Sequence, residues 1–132
     1  MFSGRRPRSL GVNDGRLASC GRRLNCVSSQ AAPDDAQRYV APIRFSGSAA
    51  EAIAASRRAV ESMQRARVVS VEGNYLHAEF RSRLMGYVDD VEFTDDGKAG
   101  VLHVRSASRL GHSDMGVNRK RIEELRSSLS AR

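Results

Sequence analysis

YLHAEFRSRLMGYVDDVEF, residues 75–93, decides the fold. Leu76, Ala78, Phe80, Ser82 and Leu84 alternate with Tyr75, His77, Glu79, Arg81 and Arg83. Successive side chains of a strand point to opposite faces, so this period of two predicts a long strand with one apolar and one polar face. Gly86 ends the run as a bend, bulge or tight turn. Tyr87 to Phe93 form the next strand. There Tyr87, Val91 and Phe93 share a face with Asp89. If that face is inward, Asp89 enters the interior, where a carboxylate needs a cation or several donors.

Downstream, Asp95-Asp96-Gly97-Lys98 reads as a hairpin turn, with Gly97 suited to positive φ. Val101 to Ser106 is the returning strand, with Leu102 and Val104 inward and His103 and Arg105 outward. The last helix begins near Met115 or Gly116. Asp114 is placed to cap it, accepting from the free amides of its first turn. Asn118, Ile122, Leu125 and Leu129 form its inner face, and Lys120 and Glu124 are an i,i+4 pair.

Upstream, Val69 and Val71 alternate with Ser70 and Glu72, and Gly73-Asn74 is a turn. Ser48-Ala49-Ala50-Glu51 is a capping box that starts a helix over 49–65. Ala49, Ile53, Ser56, Val60 and Met63 form its apolar stripe. Tyr39, Val40, Ile43 and Phe45 suggest a first strand, and Pro42 confines it to an edge, because proline lacks a ladder donor. The order is strand, helix, four strands, helix. It predicts an α+β domain: an antiparallel meander of four to five strands with two helices packed on one face.

The 132 residues suit one domain, able to bury a core without staples. No stretch reaches the roughly 20 apolar residues of a membrane span. The net charge of +7 is uneven. Residues 1–25 carry six arginines against Asp14 alone, which leaves +2 for the body. Residues 1–16 read as a disordered basic tail, and 17–129 as the domain. No apolar leader follows the arginines, so the cytoplasm is the default compartment. Cys20 and Cys26 fit free thiols or a disulfide, depending on the compartment. Two cysteines with no nearby histidine are a poor zinc set.

LASCGRRLNCVSSQ, YLHAEFRSRLMGYVDDVEF and VRSASRLGHSDMGVNRKRIEELR, in this order, resemble domain-of-unknown-function family 1499 of bacteria and plastids. The resemblance covers about residues 17–129. Leu24 stands where the family usually has proline. The resemblance implies that these segments form one domain. It implies no activity, although many relatives are exported or membrane-attached.

The chemistry concentrates between Arg105 and Arg126. Arg105, Arg109, Arg119 and Arg121, with the hydroxyls of Ser106, Ser108 and Ser113, and His112 and Asp114, suit an anion such as phosphate or carboxylate. Arg81 and His77 extend that wall. The competing reading is internal pairing of these arginines with Glu79, Asp89, Asp90, Glu92 and Asp114. The sequence therefore predicts an accessory domain with an arginine-lined site at Arg105, Ser106, Ser108, Arg109, His112, Asp114, Arg119 and Asp89. It would take a small anionic ligand or a protein partner.

The enzyme alternative uses His77 and Glu79 as acid and base, since side chains at i and i+2 of a strand are parallel. His112, Ser113 and Asp114 have the residue types of a hydrolytic triad, but consecutive side chains diverge. His77, His103, Asp89 and Asp90 lack metal-ligand spacing, and no cofactor fingerprint is present. Glu123 and Glu124 interrupt the basic last helix, which argues against nucleic acid on the folded body.

Overall fold

The computed structural model describes residues 4–83, 86–98, 100–111 and 114–130. The strands are β1 (Cys26–Ser28), β2 (Ile43–Arg44), β3 (Ala66–Glu72), β4 (Tyr75–Arg81), β5 (Val88–Asp95) and β6 (Val101–Ser108). Helices α1 (Ala49–Glu61) and α2 (Val117–Ser130) complete the fold. The fold is α+β. Strands β3 to β6 form the expected antiparallel meander, and the sheet order is β1-β6-β5-β4-β3.

The sixth strand comes from sharing the outer edge of β6. There β2 pairs with Leu102 and Val101, and β1 pairs with residues 105–107. β1 had no signal in the sequence, because CVS is only three residues long. The edge position expected from Pro42 holds, but the strand beside it is reduced to Ile43–Arg44. Tyr39 instead makes an isolated parallel bridge to Ser28.

Both helices pack on one face. Leu76, Ala78 and Phe80 of β4, Val91 and Phe93 of β5, and Leu102 and Val104 of β6 meet Ile53 and Val60 of α1 and Ile122 and Leu125 of α2. The capping box forms as read. Ser48 Oγ accepts from the Glu51 amide at 3.1 Å, and Glu51 Oε1 accepts from the Ser48 amide at 2.9 Å. α1 ends at Glu61, short of residue 65, where Arg65 turns the chain with φ +58°. The hairpin at Asp95–Lys98 also forms, with Gly97 at φ +85°. β4 ends at Arg81, so Leu84, assigned above to its inner face, lies outside the described residues.

The opposite face of the sheet is not the solvated surface that its alternation suggested. The segment from Gly4 to Cys20 lies over it. Arg6 reaches Glu79, the Gly11 amide donates to Glu92 at 2.7 Å, and the Leu17 amide donates to Gln30 Oε1 at 2.9 Å. At its far end, Cys20 is joined to Cys26 by a disulfide and packs on Ala107. Residues 4–16, read from composition as a disordered tail, thus make specific contacts with the domain.

Candidate functional site

Strand register builds a layer of charge under that covering segment. His77 of β4, Glu92 of β5 and Arg105 of β6 lie in one cross-strand row. Glu79, Asp90 and Ala107 form the next row. Arg109 follows β6 with the same parity, and its amide donates to Val88 O. His77, Glu79, Asp90, Glu92 and Arg105 are all buried.

The layer is internally paired. Arg109 Nε donates to Asp90 Oδ2 at 2.8 Å, and Nη2 donates to Asp90 Oδ1 at 2.9 Å and to Glu79 Oε2 at 2.6 Å. Arg6 and Arg67 reach Glu79 from the rim. His77 Nε2 lies 2.7 Å from Asp90 Oδ1. The histidine's partner is therefore Asp90 on the neighbouring strand, not Glu79 two residues along its own strand. Glu92 Oε2 accepts from Tyr75 Oη at 2.6 Å and from Gly11. Its Oε1 lies 3.5 Å from Arg105 Nη1, and neither Glu92 Oε1 nor Arg105 Nε has a hydrogen-bond partner.

These contacts move several of these groups from their ordinary values. Burial opposes ionisation of Asp90, but hydrogen bonds from Arg109 and His77 outweigh it and hold the carboxyl below its usual range. Glu79 is likewise depressed: burial pushes it up, and Arg6 and Arg109 pull it down further. Its bonds to Asp90 raise the Arg109 value. Burial, then Glu92, pushes the Tyr75 phenol up. Burial lowers the Arg105 value. One ligand atom each from His77, Glu79 and Asp90 lie within 4.8 Å of one another, the outline of a metal set. The Arg109 guanidinium already grips both carboxylates and supplies the positive charge a metal would bring.

The residues predicted to form one anion site fall on opposite sides of the sheet. Arg105 and Arg109 belong to the covered layer. Ser106, Ser108, Asp89, Asp114 and Arg119 lie on the helix side. His112 and Ser113 lie outside the described residues. Asp89, carried inward as its alternation required, is met by Arg121 Nη1 at 2.5 Å. Arg119 donates to the carbonyls of Ala36 and Gln37. Asp114 caps α2, accepting from the amides of Gly116 and Asn118 at 2.9 and 2.8 Å. Asn118 is a hub that the sequence reading treated only as part of the inner face. Its Nδ2 faces Asn25 O, Ser108 Oγ and Asp114 Oδ2, and its Oδ1 accepts from Ser106. His103 is tied to Ser29 and Asp96.

A cationic surface does exist, but elsewhere. A cleft of about 640 Å³ opens between the end of α1, the end of β4 and the first turns of α2. Arg65, Arg81, Arg83, Lys120 and Arg121 line it over Phe80. Among the described residues, the side chains of Arg81, Arg83 and Lys120 have no hydrogen-bond or ion-pair partner, and Arg65 donates only to its neighbour Gln64. The Lys120–Glu124 pair expected on α2 is not among the ion pairs formed. Of these five cations, only Arg81 and Arg121 belong to the anion wall expected from the sequence. The others come from segments that no spacing links.

No helix among the described residues is long and apolar enough to cross a membrane. No curated protein and no solved structure matches the chain. A family model does match, over residues 16–129, and it spans nearly all of the residues described above. The chain belongs to the DUF1499 family of proteins of unknown function.

Proposed function

We propose that this is a non-enzymatic binding or accessory domain that takes an anionic ligand or partner on an arginine-lined surface. One contrast carries the reading. The acids and histidines inside the fold are paired with each other and with arginines, while Arg81, Arg83 and Lys120, unpaired among the described residues, line one open cleft together with Arg65. A catalytic acid or base needs access to substrate and a proton to exchange. His77 and Glu79, the enzyme alternative, are buried and held by Asp90, Arg109 and Arg6. In this reading the anion is taken at Arg65, Arg81, Arg83 and Lys120, because Arg105, Arg109 and Arg119 already have partners within the fold. The Cys20–Cys26 disulfide suits an oxidising compartment better than the cytoplasm.

A thermal-shift screen against phosphorylated and carboxylated compounds, at low and high salt, tests this reading. A ligand that binds only the folded state raises the melting temperature. The expected result is a salt-sensitive rise that is absent in Arg81→Ala/Arg83→Ala. No rise with any of these anions, or turnover abolished by His77→Ala, would overturn it.

A further inference from the structure

We propose that the cleft at Arg65, Arg81, Arg83 and Lys120 is a site for a dianionic phosphate group carried on an organic body. This rests on the anion-binding reading above and adds the chemistry of the ligand. Four cations without a carboxylate partner come from the turn before β3, the end of β4 with the segment after it, and α2, and line one space of about 640 Å³. Glu124 is the single acid in its lining. A carboxylate brings one charge and two acceptor oxygens, too few for three guanidinium forks and an ammonium. A phosphate monoester brings nearly two charges and three terminal oxygens, and arginine forks match its edges in pairs.

The cleft is also held in shape without a ligand. The Arg81 amide donates to the Arg65 carbonyl at 2.8 Å, which sets those two arginines side by side. Arg65 keeps a left-handed backbone at φ +58°, a conformation uncommon outside glycine. Arg121 is fixed from behind by Asp89 and lies 4.8 Å over the Phe80 ring. Its charge is therefore positioned, and its partner is already chosen. Phe80, Met63 and the half-exposed Val117 add an apolar part to the lining, which suits the carbon skeleton of an ester. Either a free phosphorylated molecule or a lipid headgroup presents this chemistry.

Calorimetric titration of the full chain with phenyl phosphate, benzoate and inorganic phosphate tests the ligand class. Co-sedimentation with phosphatidylcholine vesicles, with and without phosphatidic acid, identifies the source. Phenyl phosphate should bind at least about tenfold more tightly than benzoate. Arg81→Ala/Arg83→Ala and, separately, Lys120→Ala should each weaken it severalfold, while Arg44→Ala on β2 should not. These side chains are exposed and unpaired, so the variants should melt as the wild type does. Binding to vesicles only when they contain phosphatidic acid would support the same site with a lipid source. Equal binding of phenyl phosphate and benzoate, lost in the Arg81/Arg83 variant, would overturn the phosphate assignment while the anion-binding reading stood. No binding of any anion, with no variant differing from wild type, would overturn both.

Discussion

Arg109 grips Asp90 with a two-pronged fork, Nε to Oδ2 at 2.8 Å and Nη2 to Oδ1 at 2.9 Å, inside a layer closed to solvent. The same Nη2 also holds Glu79. One guanidinium thus bridges two buried carboxylates on adjacent strands. Removing it leaves Asp90 with His77 alone and Glu79 with Arg6 and Arg67 at the rim, and breaking a buried pair in this way costs about 3–5 kcal/mol. Arg109→Ala should lose that much in urea denaturation. Arg109→Lys should recover only part of it, because an ammonium cannot form the fork. A loss under about 1 kcal/mol, the range of exposed pairs, would show that the layer is solvated.

Acid should unfold the protein through the same two carboxyls. Glu79 and Asp90 are held below their ordinary values, whereas the unfolded chain takes up protons near the usual 4 or so. Between the lowered folded values and the unfolded ones, the unfolded state binds more protons, so stability falls as pH falls. The contribution is fully present above roughly pH 5 and is lost below it. Melting temperatures measured stepwise from pH 7 downward should decline on that limb, and less steeply in Asp90→Asn. A melting temperature that climbed on acidification would contradict the pairing.

Asn118 should matter more than its polar side chain suggests. It is fully buried and serves Asn25, Ser106, Ser108 and Asp114 together. Asn118→Ala orphans several buried groups, each worth about 1–3 kcal/mol. Chemical denaturation should register at least one such loss. Asn118→Leu should fare no better, because the orphaned groups lie on its neighbours.

The disulfide closes a short loop, with Cys20 and Cys26 six apart in sequence. Loop-closure entropy then gives about 2 kcal/mol of stabilisation. Cys20→Ala/Cys26→Ala should lose about that amount relative to the oxidised protein. Alkylation of the native protein should find no free thiol, and a reductant should lower the melting temperature of wild type but not of the double variant.

The helix side of this fold was legible in the sequence because its signals are local. The Ser48–Glu51 box, the Asp114 cap and the alternation of Leu76, Ala78 and Phe80 each declare themselves within a few residues. Asp89 was legible as a conflict of pattern, an acid at an apolar parity, and Arg121 resolves it. The other face was misread for a physical reason. Alternation separates apolar from polar side chains, but it does not distinguish polar side chains in water from polar side chains under another segment. His77, Glu79, Glu92 and Arg105 look solvated by type and are buried by tertiary contact. The cleft was illegible for the same reason: Arg65, Arg83 and Lys120 meet only after β3–β4 pairing and helix docking bring their elements together.

The covering segment also sets an order of events during synthesis. Arg6 and Gly11 emerge well before their partners, since Glu79 lies 73 residues beyond Arg6 and Glu92 lies 81 beyond Gly11. Contacts of such long sequence separation form slowly, because a large loop must close before anything is gained. Until β4, β5 and β6 have left the ribosome, the arginine-rich stretch has no carboxylate row to meet. The charged face should therefore pass through a wet, half-assembled stage until β4, β5 and β6 have paired. Pulse-labelled hydrogen exchange during refolding would record it as late protection of the Gly11 amide, behind the amides of β4 and β5.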